Sequence, residues 1–341
     1  MSVKKLDQDT FNSWVDGLTA KHSIVGVQAK GERFVFAPLA GAADLRLDYD
    51  VTMLPPKKYL LPQTEPLLTF NKTNGEHKSV LDSQPLVLFG VHPYDMIAIN
   101  QMDAIFSKDN YDVHYMTRRN NATIVACDVQ KASANVFAGC METAVVKEGF
   151  DVLLTRVNGG YLAETRTEKG EALFAGVDAP DASDKDLAGR EQVWKDNKKN
   201  LQKHKLKCFP TDIPSLLEKS FNHKVWEEKA GLCFSCGTCT NVCPTCYCFD
   251  VQDDVNWDMQ SGERSRTWDS CQLSEFAIVA GKHNFRPDKG ARFRHRYYRK
   301  GKYIADKIGH IACVGCGRCI TGCVAAIANP VEIYNRLLEG E

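Results

Sequence analysis

Apolar and polar positions in the first half of the chain follow two periods, so this half reads as mixed α/β. Phe11 to Leu18 is helix-like, while Ser23 to Gln28 and Arg33 to Pro38 are strand-like, a hairpin turned through Lys30, Gly31 and Glu32. The stretch around Pro55, Pro56, Pro62 and Pro66 reads as loop. Leu86 to Val91 is an apolar run of strand length, and apolar residues from Asp95 to Phe106 then recur at helical spacing. Thr123 to Cys127 is a further short apolar run. Asp151 to Thr155 and Gly160 to Thr165 form another strand pair around Asn158, Gly159 and Gly160.

These patterns divide the chain into an α/β domain over residues 1–178, a linker and helical segment over 179–230, and a third region over 231–341. Asp178 to Asp186 is polar and carries a proline, as linkers do, and a charged helical stretch runs from Leu187 to about Lys207. With eight cysteines in ferredoxin spacing between Cys233 and Cys323, the expected fold class is an α/β N-terminal domain followed by a mainly helical, ferredoxin-like two-cluster domain. The glycines of the first half form neither G-x-G-x-x-G nor a phosphate-binding loop, so neither motif supports dinucleotide or ATP binding by this chain.

Composition changes the picture through charge and cysteine. Forty-three basic residues balance forty-three acidic ones, so no global field favours nucleic acid or an anionic membrane. No apolar run reaches bilayer-spanning length, and the N-terminus lacks the pattern of a secretory signal. Direct membrane insertion is therefore not expected. Fourteen cysteines in a chain of 341 residues crowd mostly into two short motifs, which favours metal binding in the cytoplasm over a disulfide scaffold.

Cys233-Phe-Ser-Cys236-Gly-Thr-Cys239-Thr-Asn-Val-Cys243-Pro244 fits C-x2-C-x2-C-x3-C-P, and Cys313-Val-Gly-Cys316-Gly-Arg-Cys319-Ile-Thr-Gly-Cys323 repeats the cysteine spacing. Thiolates two residues apart let a tight turn wrap one iron–sulfur cubane, and small residues such as Gly237 and Gly317 let backbone amides approach its sulfides. In two-cluster ferredoxins the fourth thiolate serves the other cluster. One [4Fe–4S] cluster is then expected on Cys233, Cys236, Cys239 and Cys323, and a second on Cys313, Cys316, Cys319 and Cys243. Zinc is the competing account, disfavoured because four cysteines recur in cluster spacing twice. Val324 stands where the pattern has proline after its last cysteine.

Three more thiols lie close by. Cys246, Cys248 and Cys271 offer part of a third metal centre, but their irregular spacing favours buried or supporting thiols. Between the motifs, Arg286 to Lys302 interleaves Arg292, Arg294, His295, Arg296, Tyr297, Tyr298, Arg299, Lys300 and Lys302. A solvated or internally paired basic face is the expectation there, with docking of an acidic redox partner as its functional use and nucleic-acid binding as the weaker alternative. His92 and Asp95 read either as an acid–base pair or, more commonly, as a surface histidine and a helix-capping aspartate. Cys127, Cys140 and Cys208 stand alone and read as core or incidental thiols.

Phe89-Gly-Val-His-Pro-Tyr-Asp95, Cys233 through Asp250, Arg266-Thr-Trp-Asp-Ser-Cys271 and Cys313 through Cys323 together resemble a known family. It comprises the beta subunits of cytoplasmic sulfur-reducing hydrogenases and the A-type subunits of anaerobic sulfite reductase. The resemblance implies a conduit between a flavin- and NAD(P)-binding reductase subunit and a catalytic hydrogenase, sulfite reductase or heterodisulfide-reductase-like subunit. His92 and Tyr94 replace the arginine and cysteine frequent in that family, and Val136-Phe137-Ala138 stands where it has a C-F-C stretch. Both departures argue against an N-terminal redox centre. The expected function is thus a non-catalytic, cytoplasmic electron-transfer subunit. Its alternative is a sulfur-compound reductase using a third centre near Cys246, Cys248 and Cys271, and a DNA-binding or structural iron–sulfur protein ranks third.

Overall fold

The computed structural model describes residues 2–340. Strand β1 (Ser2–Leu6) leads into helix α1 (Gln8–Thr19), whose first turn is capped by the Asp7 carboxylate accepting from the Thr10 amide. Phe11, Trp14, Val15 and Leu18 form the buried side of α1. Strands β2 (Ile24–Lys30) and β3 (Arg33–Pro38) pair as the anticipated hairpin. The proline-rich stretch is only partly loop, because β4 (Thr64–Asn71) begins inside it and continues to β5 (His77–Ser79). Pro66 is tolerated in β4 at a register irregularity, where a residue without an N–H interrupts the ladder least.

Strand β6 (Leu86–Val91) is followed by α2 (Pro93–Phe106), α3 (Val113–Asn121) and β7 (Ala122–Cys127). Strands β8 (Val152–Val157) and β9 (Gly160–Thr165) make the second hairpin, ahead of α4 (Glu168–Leu173) and α5 (Asp184–Asn200). One sheet runs β1-β9-β8-β7-β6-β2-β3, with β2, β6, β7 and β8 parallel. Alternate residues of the parallel strands enter two cores. Leu88, Ile124, Ala126 and Leu153 pack on the α2 side, while Val87, Phe89, Val125 and Leu154 pack on the α1 side.

The chain continues through α6 (Ile213–Lys219), α7 (Val225–Gly231) and α8 (Thr238–Asn241) to β10 (Phe249–Val255) and β11 (Ser261–Trp268). It closes with α9 (Lys289–Tyr298), a widened π turn at Arg299–Tyr303, α10 (Ile304–Ile308), α11 (Arg318–Thr321) and α12 (Pro330–Glu339). The C-terminal third is therefore not only helical: β10 and β11 join β4 and β5 in a second sheet, ordered β10-β11-β4-β5. Thr267 opposite Thr64 sets the register of that junction. The buried Arg266 anchors it by donating to Glu65 and Asp112 of the N-terminal half.

Open parallel sheets offer their ligand crevice beyond the carboxyl ends of the strands. Here residues 128–148 cross that edge and carry the second cysteine motif. Phe137 donates its amide to the Gly315 carbonyl at 2.8 Å, and the Thr143 hydroxyl donates to the Val314 carbonyl at 2.7 Å. The edge is thus a seat for the cysteine-rich region.

Candidate metal centres

The two cysteine motifs fold alike. Gly237 and Gly317 both take a left-handed conformation, at φ 75° and 79°, immediately before the short helices α8 and α11. Ser235 and Gly315, equivalent in the two motifs, are also left-handed at φ 54° and 65°. In each motif the third cysteine lies in the short helix and the fourth follows it.

All eight cysteines singled out by spacing line one of two cavities. The inner cavity is lined by Cys313, Cys316, Cys319 and Cys243. The outer cavity is lined by Cys233, Cys236, Cys239 and Cys323. Each motif places its fourth cysteine at the other motif's cavity. No carboxylate lines either space, and among the described residues no three His, Cys, Asp or Glu side chains gather closely enough to hold a single ion. A zinc ion needs such convergence, with sulfur ~2.3 Å from one point. Four thiols spread around a mostly apolar space suit a polynuclear iron–sulfur group. Tyr297 and Tyr334 line the inner cavity, and their hydroxyls are buried without a hydrogen-bond partner.

Burial sets the electrostatics. It pushes the Cys313 thiol up to about 12 and the Cys239 thiol up to about 11, and it raises Cys316 and Cys319 as well. These thiols hold their protons until a metal displaces them, so loading the cavities releases protons. Cys243 differs. Its hydrogen bond with Cys246, and then the nearby Lys300 ammonium, hold it well below the usual thiol range.

The remaining cysteines line neither cavity. Cys246 pairs with Cys243, and Cys248 pairs with Cys271, which draws Cys248 down to about 6. Cys246, Cys248 and Cys271 are thus divided between two thiol pairs. Cys127 is fully buried in the sheet core, and Cys140 donates to the His204 carbonyl at 3.2 Å.

Two surface expectations are overturned. His92 is buried, stacked on Tyr49 with ring centroids 3.8 Å apart, and its Nδ1 lies 2.6 Å from the Tyr94 hydroxyl. Asp95 is not the cap of α2. Pro93 starts that helix from His92, which leaves Asp95 inside the first turn to receive both terminal nitrogens of Arg318 at 2.6 Å. That fully buried pair joins the N-terminal domain to the second cysteine motif. Of the two readings of the basic stretch, solvated or internally paired, the structure favours the second: Arg292, Arg296 and Lys300 repeat every fourth position along α9 and its π turn and are buried, and Lys302 pairs with Glu218 and Asp306. Their spacing was readable as a stripe, but nothing local in the sequence marked the stripe as the wall of a cavity.

Residues 232–327 match the family described as 4Fe-4S dicluster domain. Along its whole length the chain is 33% identical to the sulfhydrogenase 2 subunit beta of Pyrococcus furiosus, over 343 aligned positions that cover 99% of that protein. No solved structure matches the chain. Among the described residues no helix is long and apolar enough to cross a membrane.

Proposed function

The chain belongs to the family of sulfhydrogenase beta subunits that carry a 4Fe-4S dicluster domain, and from that premise we propose that it relays single electrons through two [4Fe–4S] clusters. Cys313, Cys316, Cys319 and Cys243 would hold the inner cluster, and Cys233, Cys236, Cys239 and Cys323 the outer one. The observation that carries this reading is the exchange of fourth cysteines between the two cavities. When bound, such clusters supply one-electron redox chemistry at low potential. The protein supplies thiolates, left-handed turns that bring backbone close, and walls that keep water out. At the outer cavity Cys236 is exposed, and Phe234 and Val324 line the opening at 70% and 83% exposure, which suits a partner docking closely there.

On this reading the partners are a flavin- and NAD(P)-binding module on one side and a hydrogenase, sulfite reductase or heterodisulfide-reductase-like subunit on the other. Fourteen free cysteines favour the reducing conditions of the cytoplasm. Chemistry then belongs to the partners. The test is to reduce the anaerobically purified chain with dithionite and offer NAD(P)+, sulfite, polysulfide and disulfides separately. Cluster reoxidation without sustained turnover is expected; sustained turnover of any of them by this chain alone would replace the relay with a reductase.

A further inference from the structure

The two cavities share their thiols' spacing and differ in charge. No ionised side chain lines the outer cavity, whereas Arg296 and Lys300 line the inner one. Both are buried, at 4% and 7% exposure, and among the described residues neither has a carboxylate oxygen within 4.0 Å. A buried cation without a counter-charge is costly, so the missing anion belongs in the cavity itself. Lys300 reaches the Thr245 hydroxyl and the Cys243 thiol. Arg296 lines only the inner cavity, yet the thiols that feel its charge include Cys239 of the outer set as well as Cys319 and Cys243 of the inner, and its Nε has no hydrogen-bond partner. Arg292, the third buried cation of the stripe, is already engaged. It donates to the carbonyls of Gln272, Arg286 and Pro287 and to the Ser235 hydroxyl, and it lines neither cavity.

Burial alone would make the inner centre the harder one to reduce, because the added electron would sit in a low dielectric. Positive charge and hydrogen bonds directed at the cluster sulfurs act the other way. We propose that Arg296 and Lys300 make the inner centre the better electron acceptor of the two, and that Arg296 couples its reduction to that of the outer centre. The inference rests on the two-cluster reading above. It assigns the basic segment between the motifs to potential tuning, and it makes the inner centre the place where an electron rests after entering through the outer one.

The test is an EPR-monitored redox titration of the anaerobically purified full chain, with iron content measured on every sample. The signal weakened by Cys316→Ser identifies the inner centre. In the wild type that signal is expected to develop first as the potential is lowered. Lys300→Gln should lower the inner centre's one-electron reduction constant at least tenfold, about 59 mV, and leave the outer centre in place. Arg296→Gln should lower both, the inner more, and Arg296→Lys should restore most of the shift. If Arg296→Gln holds no iron, Lys300→Gln and Arg296→Lys carry the test. Two signals whose potentials are the same in the wild type and in Lys300→Gln would overturn this inference and leave the relay standing, as would an outer centre that reduces first. A wild type without two iron–sulfur signals would overturn the two-cluster reading and this inference with it.

Discussion

The inner and outer cavities have the same cysteine spacing and the same left-handed turns, yet they occupy opposite environments. The inner one is pressed against the N-terminal domain, with Cys316 and Cys319 buried and the loop of residues 128–148 packed over Gly315 and Gly317. The outer one opens beside the exposed Phe234 and Val324. Ligand chemistry alone would make the two sites interchangeable. What separates them is the packing around each, so the comparison can be broken or sharpened by changing one site and its counterpart in parallel.

The largest expected effect is on cluster content. Cys316→Ala should remove the inner cluster, about four of roughly eight irons, and Cys236→Ala should remove the outer one to the same extent. Iron and sulfide analysis with EPR distinguishes the two. Because the fourth thiolates are exchanged, Cys243→Ala should perturb the signal that Cys316→Ala removes. A perturbation confined to the signal that Cys236→Ala removes would show that each motif serves its own cavity.

The next effect is on packing. A Cβ at Gly317 would lie 2.3 Å from the Asn135 carbonyl oxygen, on backbone already left-handed, whereas at Gly237 the nearest contact is the Ser270 side chain at 2.9 Å. Gly317→Ala should therefore cost ~3 kcal/mol or more, and Gly237→Ala ~1–2 kcal/mol, as the smaller Ser270 contact can adjust. Urea midpoints of the two variants measure the difference. Similar costs would mean that the inner site is not held more rigidly than the outer.

Removing one partner of the Arg318–Asp95 pair is expected to have an effect of similar size. With both side chains buried, Arg318→Ala should cost ~3–5 kcal/mol, because Asp95 is left charged and unpaired. Lys207→Ala, which breaks an exposed pair with Glu339, should cost ~1 kcal/mol at most. Since Arg318 reaches from the second motif to α2, its loss is expected to loosen the inner site and spare the outer EPR signal.

How much of this was legible depended on the range of the interactions. The gathering of the eight cysteines around two cavities was readable because their spacing is short and local, and the strands from Leu86 to Cys127 were readable because their apolar runs match their length. The hairpin of β10 and β11 was not. Phe249 to Val255 mixes three aspartates with isolated apolar residues, and its partner β11 finds its place on β4 some two hundred positions away. Asp95 looked like a cap within its own window, and only the fold brings Arg318 to it. The basic stretch read as solvated or internally paired because charge is normally exposed or matched by a neighbour. Its burial follows from thiols contributed by two other segments, which no local pattern reports.

The smallest expected effect concerns the seat of the inner site. Asp128 follows β7 at the start of the loop that carries the second motif, and it is buried while accepting from the Thr155 hydroxyl at 2.7 Å and the Trp194 ring nitrogen at 2.8 Å. Burial outweighs those hydrogen bonds and raises its carboxyl to about 6. The folded state thus holds the proton more tightly than the unfolded chain, whose aspartate titrates near ~3.9. The contribution of this group is fully present below about pH 4 and is lost as pH rises through about 6, a change of ~2–3 kcal/mol. Asp128→Asn keeps the acceptor and removes the titration. Relative to wild type, the variant should therefore gain urea resistance progressively between pH 4 and 6 and keep that advantage at pH 7. Because Asp128 underlies only the inner site, the gain should come without a change in the outer cluster's EPR signal. A difference that stays flat across this range would mean that the carboxyl is ionised throughout and that the loop is seated by its hydrogen bonds alone.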